Sequence, residues 1–236
     1  MNDKNKKEQI LSIISEKAVL KQKVFDKTFE IFNVLKKSLN DLEIEYNQNL
    51  KTQDSRIRIK YYDKGIFQCE LKVAGDILVF YMHSNIFEFD REHKIWSMPT
   101  AKKDKDATYS GIISIYNFLA DSFKYNRHED YGYLIARIFI NKEKHFFVEG
   151  KQQMGYLSDK FGDQILDQNN LISIIESAIL YSQKFDLLVP PYEKVSIVNV
   201  SKILEARRQG IQTGKRLGFS FNADDIRGEK LFYSGG

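Results

Sequence analysis

The densest group of basic side chains in the sequence lies near its C-terminus. Four basic residues are followed closely by two phenylalanines: Arg207, Arg208, Lys215, Arg216, Phe219 and Phe221. Cationic side chains bind phosphates and aromatic rings stack on bases, so this cluster predicts a weak, salt-sensitive nucleic-acid site. The alternative is that these charges are solvated and stabilise the negative end of a helix dipole. We prefer the second interpretation because charge runs are usually solvated.

An acidic-x-lysine triplet follows an apolar strand in the middle of the chain. The triplet is Glu149-Gly150-Lys151, and Asp130 lies upstream of it. In residues and spacing this arrangement resembles the signature of the PD-(D/E)XK nucleases. The resemblance implies that Asp130 and Glu149 hold Mg²⁺. It also implies that Lys151 and the metal activate water against a phosphodiester.

The strand register expected for this hairpin argues against a shared metal site. With the turn over 141–144, Ala136 lies opposite Glu149, and Asp130 is displaced along the strand by about 20 Å. That displacement exceeds the distance of about 2 Å that joins a metal ion to its ligands. The alternative interpretation is an ion pair between Glu149 and Lys151 at the strand end. A cofactor is expected only under the nuclease hypothesis, where it is Mg²⁺.

Other common site chemistries lack the residues that they need. The four histidines, His83, His93, His128 and His145, are scattered, and Cys69 is the single cysteine. This set does not have the spacing of zinc ligands. The chain also contains no dinucleotide-binding fingerprint and no nucleophile elbow.

The composition is that of a globular chain with a mild positive charge. The 236 residues carry 36 Lys and Arg against 32 Asp and Glu, a formal charge of +4, and 42% are hydrophobic. That hydrophobic fraction is enough to build a core and argues against disorder. The single cysteine suits a reducing compartment, no secretory signal is visible, and no apolar run approaches the roughly 18 residues of a membrane span. We therefore expect a cytoplasmic protein.

The first fifty residues predict one long amphipathic helix. They contain no glycine or proline, and apolar side chains recur at steps of three and four. The seam comprises Leu11, Ile14, Ala18, Lys21, Phe25, Thr28, Phe32, Leu35, Leu39, Leu42 and Tyr46, and Ile10, Ile13, Val24, Ile31 and Val34 widen it. At about 1.5 Å per residue the seam from Leu11 to Tyr46 alone approaches 55 Å in length. We therefore expect part of the helix to extend beyond the domain. The helix either lies on its own sheet or pairs with a second copy of the chain.

A three-stranded meander is predicted after this helix, because the hydrophobic period changes to two. The strands are expected over 56–62, 66–73 and 76–82. The first turn is expected to pair Tyr61 with Phe67, and the second to pair Leu71 with Leu78. Both turns place the same apolar residues on one face of the sheet, which predicts that this face is buried.

A second set of basic residues falls on the polar face of the predicted meander. The set comprises Arg56, Arg58, Lys60 and Lys72, and it is interspersed with Gln68 and Glu70. Because the neutral and acidic side chains dilute the charge, the pattern favours a solvated sheet face over a nucleic-acid site.

The second half of the chain predicts a central hairpin followed by covering helices. The hairpin, over 133–140 and 145–152, is apolar on both faces near its turn, which is typical of strands covered on each side. A helix over 171–185, a strand over 194–200 and a further short helix follow it. Asn170 is expected to cap the first of these helices.

These elements together predict an α+β fold. It consists of a long N-terminal helix, an antiparallel meander and a central hairpin in a mixed sheet covered by C-terminal helices. We divide the chain into the N-terminal helix over 1–50, available for dimerisation, and an α+β domain over 51–236.

The architecture favours a non-enzymatic, dimeric interaction or binding module over an enzyme. The expected partner is a second copy of the chain, or another protein, bound through the N-terminal helix. Nucleic acid stays open as a partner, and no membrane partner is expected. The alternative function is the Mg-dependent nuclease that uses the strand with Glu149 and Lys151.

Overall fold

A helix that spans nearly fifty residues opens the chain in the computed structural model, which describes residues 3–52, 54–150, 161–162, 164–184, 186–187, 189, 191–201 and 203–204. It consists of α1 (Asp3–Ile13), a π-helical turn (Ile14–Ala18) and α2 (Val19–Asn49). The other helices are α3 (Pro99–Lys103), α4 (Ala120–Lys124), α5 (Gln168–Gln183) and α6 (Tyr192–Val195). Two 3₁₀ turns, Lys94–Ser97 and Lys105–Thr108, flank α3.

Seven strands in the described part of the chain form one sheet. They are β1 (Lys60–Asp63), β2 (Gln68–Val73), β3 (Asp76–Met82), β4 (Phe87–Glu88), β5 (Tyr109–Leu119), β6 (Tyr133–Ile140) and β7 (Phe146–Gly150). Their order is β1-β2-β3-β5-β6-β7, with β4 paired to β5. Every pairing of these strands is antiparallel. The α+β fold class is confirmed, and the described sheet is antiparallel rather than mixed.

One face of the sheet, which we call the inner face, packs against α2 and α5. Alternate strand residues supply its side of the core, and they include Leu71, Leu78, Phe80, Ile113, Ile115 and Ile138. From α2 come Phe32, Leu35 and Leu39, all fully buried. These helix residues belong to the predicted seam, so α2 uses that seam on its own sheet.

Helix α2 approaches the sheet closely at Gly111 in β5. A Cβ atom at this position would lie 2.1 Å from Thr28 Oγ1 and 2.7 Å from Thr28 Cβ. Thr28 is itself fully buried, and its hydroxyl donates to the Val24 carbonyl at 2.8 Å. The absence of a side chain at Gly111 therefore sets the distance between α2 and the sheet.

Polar contacts attach α2 to other parts of the fold. Lys36 Nζ donates to Oδ1 of Asp63, the last residue of β1, at 2.8 Å, and this bond lowers the pKa of the Asp63 carboxyl. Tyr46 Oη donates to Glu176 Oε1 of α5 at 2.5 Å. The hydrogen bond to Glu176 raises the pKa of Tyr46 to about 12. These contacts fix α2 against both the hairpin and α5.

The outer edge of β1 is covered by side chains of α2. The Ile59 amide donates to Asn47 Oδ1 at 3.0 Å, and Asn47 Nδ2 donates back to the Ile59 carbonyl at 2.7 Å. The Tyr61 amide donates to Glu43 Oε2 at 2.8 Å. Backbone groups at a sheet edge normally remain available to another strand. At this edge, the amide and carbonyl of Ile59 and the amide of Tyr61 are hydrogen-bonded to side chains of α2 instead.

The other face of the sheet, the outer face, is covered at the β6–β7 end by an aromatic cluster. Phe139 and Phe147 stack at 4.7 Å between ring centroids. Ile95 and Phe161 complete the buried part of the cluster, and Phe89 and Trp96 pack against it. Sequence analysis predicted cover on both faces of this hairpin. The outer cover comes from the chain between β4 and β5 and from Phe161 rather than from long helices.

The strand registers confirm one predicted turn and correct two. Leu71 pairs with Leu78, as predicted. Tyr61 pairs with Leu71 rather than Phe67, a shift of four residues, which is even and keeps the same side chains on the inner face. The β6–β7 register differs by one residue, because Ile140 pairs with Phe146 rather than His145.

The C-terminal part of the described chain differs from the prediction in two places. Asp167, not Asn170, caps α5, and its side chain accepts a hydrogen bond from the Asn170 amide. The predicted strand over 194–200 is wrong: α6 occupies its start, and Ile197 beyond it is exposed. A β-branched run does not form a strand without a neighbouring strand to pair with.

Candidate functional site

The exposed start of the first helix is the surface best suited to binding a partner. We call residues 3–19 the N-terminal extension. Every side chain described from residue 5 to residue 19 is exposed. Five apolar side chains are more than half exposed: Ile10 at 56%, Leu11 at 53%, Ile13 at 60%, Ile14 at 56% and Val19 at 61%. Exposed apolar patches are typical of interaction sites, so this segment is the candidate interface.

The π-helical turn changes the direction in which this apolar side faces. In an unbroken helix with a 3.5-residue period, Ile10 would fall in line with Val24 and Ile31, which are buried against the sheet. A π turn carries about one extra residue, which rotates the preceding segment by roughly 100°. The apolar side of the extension is therefore out of phase with the side of α2 that packs on the sheet.

The base of the extension contacts the sheet through one cation–π pair. Lys17 Nζ lies 5.8 Å from the centroid of the Tyr109 ring at the start of β5. Tyr109 Oη donates to Glu88 Oε2 of β4 at 3.1 Å. Further along α2, Val24 is the first fully buried side chain. The extension is thus anchored at its C-terminal end and exposed along the rest of its length.

The sequence pattern identifies the apolar residues of the extension but not its π turn. Leu11 and Ile14 belong to the predicted seam, and Ile10 and Ile13 widen it. The π turn has the sequence Ile-Ser-Glu-Lys-Ala, which contains no glycine, proline or other helix breaker. Nothing in these residue types distinguishes a π turn from an α-helical turn.

Asp130, one of the predicted metal ligands, lies in the connection between α4 and β6. Its side chain is fully buried and forms an ion pair with Arg127, whose Nε lies 3.2 Å from Asp130 Oδ2. Ser122 Oγ donates to the same carboxylate oxygen at 2.6 Å. These contacts join the two ends of the connection, so Asp130 stabilises its shape.

Glu149, the second predicted ligand, lies opposite Arg137 on the outer face. Arg137 Nε donates to Glu149 Oε2 at 2.7 Å, and Arg137 Nη2 also contacts that oxygen. The expected pairing of Glu149 with Ala136 is wrong, because Ala136 lies opposite Gly150. Sequence analysis therefore missed Arg137 as the partner. Lys151 lies outside the described residues, and its role stays a prediction.

The structure does not bring Asp130 and Glu149 together. Arg137, the partner of Glu149, lies four residues beyond the start of β6 at Tyr133, about 13 Å along the strand. Asp130 precedes that start and is bonded to Ser122 and Arg127. Within the described residues, no group of three or more His, Cys, Asp and Glu side chains could hold a metal ion. The nuclease hypothesis stays a prediction without support from this part of the chain.

The predicted basic cluster, Arg207, Arg208, Lys215 and Arg216, lies outside the described residues. Its role in nucleic-acid binding stays a prediction. In the part of the chain that is described, none of the helices has the length and apolar character required to cross a membrane.

Comparisons with known proteins identify no relative. Searches of protein-family models, curated proteins and solved structures found no match to this chain.

Proposed function

We propose that the protein is a non-enzymatic interaction module that forms a homodimer through its N-terminal extension. The observation that carries the proposal is the exposure of Ile10, Leu11, Ile13 and Ile14, each above one half, on one helical segment. Burying these side chains against another surface removes apolar area from water and stabilises the complex by about 25 cal/mol per Å².

A second copy of the chain suits this surface for a geometric reason. At about 100° per residue, Ile10, Leu11, Ile13 and Ile14 fall within an arc of roughly 160°, which forms one apolar side of the helix. A two-fold axis places the same side of two helices against each other, so each copy supplies the surface that the other needs. Ser12 and Glu16, which hydrogen-bond to each other at 3.2 Å, lie on the polar side.

The proposal is tested by measuring the mass of the full chain in solution. We expect a dimer, and we expect the double variant Ile10→Glu and Ile14→Glu to be a monomer, because paired helices cannot bury four new carboxylates. Ile44→Glu is the matched control. Ile44 is 53% exposed on α2, away from the extension, so this variant should remain a dimer.

Two results would contradict the proposal. One is a full-length chain that remains a monomer at about 100 µM, since a functional homodimer requires a dissociation constant below that range. The other is a dimer that persists in the double variant, which would place the interface elsewhere.

A further inference from the structure

The outer face of the sheet carries a second surface at its β1–β2 end, distinct from the extension. A row of opposed residues crosses four strands there: Lys60 faces Lys72, Lys72 faces Ile77, and Ile77 faces Phe118. The neighbouring inward-facing residues Leu71 and Leu78 are fully buried in the core. Because side chains alternate along a strand, this row belongs to the outer face.

Helix α4 adds further residues to this row, because it follows β5 directly. Phe123 packs edge-on against Phe118, with ring centroids 5.4 Å apart. Lys124 Nζ lies 4.7 Å from the centroid of the Tyr125 ring. We call the combined set the lysine–aromatic surface: Lys60, Tyr62, Lys72, Phe118, Phe123, Lys124 and Tyr125. Sequence analysis found only its two strand lysines.

The charges on this surface are poorly balanced. Lys60 and Lys72 lie directly opposite each other, and like charges in that position destabilise a sheet. Lys72 Nζ donates to a neutral group, the Arg56 carbonyl, at 2.7 Å. Burial lowers the pKa of Lys72, and the charges of Lys60 and Lys124 lower it further, while Asp121 acts in the opposite direction. A bound anion would relieve this repulsion.

The nearby carboxylate of Glu70 does not neutralise the three lysines of this surface. Its Oε2 lies 3.3 Å from Lys64 Nζ, and Gln68 Nε2 donates to its other oxygen at 3.2 Å. Sequence analysis counted Glu70 as diluting the positive charge of the meander. The structure pairs it with Lys64 instead, so Lys60, Lys72 and Lys124 keep a positive field with Asp121 as the opposing charge.

Exposed aromatic rings lie among these lysines. Tyr62, Phe123 and Tyr125 are 38%, 43% and 49% exposed. An unpaired base can stack on such a ring, whereas the bases of a duplex are already stacked on one another. Closely spaced ammonium groups and exposed rings therefore match a ligand that offers both phosphates and accessible bases.

We propose that the lysine–aromatic surface binds single-stranded nucleic acid. Phosphates contact Lys60, Lys72 and Lys124, and bases stack on Phe123 and Tyr125. This activity is independent of the dimer, because none of these residues belongs to the N-terminal extension.

The test is fluorescence anisotropy of the full chain with labelled oligo-dT and oligo-rU, titrated over a range of salt concentrations. Binding should weaken as salt rises. The triple variant Lys60→Ala, Lys72→Ala and Lys124→Ala should bind at least about tenfold more weakly at low salt. Three lost phosphate contacts should also make its slope of log affinity against log salt shallower by about 2.

A ring variant tests the stacking separately. Phe123→Leu with Tyr125→Leu should weaken binding by at least about thirtyfold, because the loss of each of the two stacked bases costs about fivefold or more in affinity. Its salt slope should match that of the wild-type chain, since no phosphate contact is removed. This variant also keeps the proposal testable if the lysine variant fails to fold.

The control for charge is Lys37→Ala with Lys102→Ala and Lys103→Ala, which removes three exposed lysines elsewhere and should retain binding. Equal loss in this control would overturn the proposal, since it would indicate a non-specific charge effect. Absence of oligonucleotide binding at low salt would overturn it too.

Two further measurements test the proposal: binding of other ligands, and binding by a variant of the C-terminal basic cluster. Equal or tighter binding of the matching duplex, or of vesicles that contain phosphatidylserine, would overturn the assignment to single strands. Neutralising Arg207, Arg208, Lys215 and Arg216 should leave the lysine-dependent binding in place. If that change alone abolishes binding, the site lies at the C-terminus and the proposal is wrong.

Discussion

Two neighbouring residues of β3 illustrate how the faces of the sheet differ. Phe80 is fully buried in the inner core, whereas Tyr81, on the outer face, is 38% exposed. The inner face is mainly aliphatic and packs against α2 and α5. The outer face carries aromatic and charged side chains, and two smaller buried clusters lie on it, one around Phe139 and Phe147 and one formed by Ile77, Val79 and Ala120. The difference indicates that most of the hydrophobic core lies on the inner face, while the exposed part of the outer face presents side chains that a ligand could reach.

The largest difference is expected between alanine variants of those two neighbours. Phe80→Ala should lower the free energy of unfolding by about 3–5 kcal/mol, because it leaves a cavity in the core. Tyr81→Ala should lower it by about 1 kcal/mol or less, as is usual for exposed positions. Urea denaturation measures both values. Equal losses would mean that the outer face stabilises the fold as much as the inner one.

The next effect concerns the distance between α2 and the inner face. Gly111→Ala should cost about 1–3 kcal/mol, because the new methyl group overlaps Thr28. Combining it with Thr28→Ala should cost less than the sum of the two single changes. Gly75→Ala is the control, since a Cβ there meets nothing within 4 Å. Strict additivity at Gly111 and Thr28 would contradict the close approach.

A smaller effect is expected from the ion pair between Lys36 and Asp63, which joins α2 to the end of β1. The hydrogen bond from Lys36 lowers the pKa of Asp63 in the folded chain. A lowered pKa contributes stability that is complete above the ordinary pKa and disappears as pH falls through the folded value. The urea concentration at the unfolding midpoint should therefore decrease as the pH is lowered from about 5 to about 3. The decrease should be less steep in Asp63→Asn. Asp41→Asn, an exposed change on α2, should follow the wild-type slope.

The smallest effect is expected at Glu149 on the outer face. Its ion pair with Arg137 is about half exposed, so Glu149→Ala should change stability by at most about 1 kcal/mol. We also expect any function of the protein to survive this change. Loss of a Mg-dependent DNA-cleaving activity in Glu149→Ala would contradict that expectation and would favour the nuclease hypothesis.

The inner face is the part of the fold that the sequence predicts well. Its residues follow two regular periods, and the short turn at Ala74 and Gly75 determines the pairing of Leu71 with Leu78. Even the four-residue error at Tyr61 leaves the buried residues unchanged, because an even shift preserves the side-chain alternation. Periodicity is thus sufficient where one face is buried against helices.

The β6–β7 hairpin is harder to predict because both of its faces are apolar. Its register depends on the turn, where Asn141 Oδ1 accepts hydrogen bonds from the Glu143 and His145 amides and Lys144 adopts a positive φ of 64°. A turn of this kind cannot be inferred from alternation alone. The resulting error of one residue moved Glu149 to the wrong face and concealed its pairing with Arg137.

The lysine–aromatic surface could be predicted only in part, for a different reason. Lys60 and Lys72 are visible as basic strand residues, but Lys124 and Tyr125 reach them through α4. The apolar side chains over 111–123 recur at spacings that suit both a strand and a helix, and this concealed that helix. Residues that are distant in sequence meet on this surface because of the strand order, which no local pattern specifies.

The contacts of Asn47 and Glu43 with β1 have a consequence for assembly. A sheet that offers an open border can recruit the same border of another molecule and grow without limit into fibrils. By occupying the amides of Ile59 and Tyr61, α2 blocks that route on one side. In the proposed homodimer, copies associate instead through the helical segment at the other end of the same helix, where a two-fold contact would close on itself and stop growth at two chains.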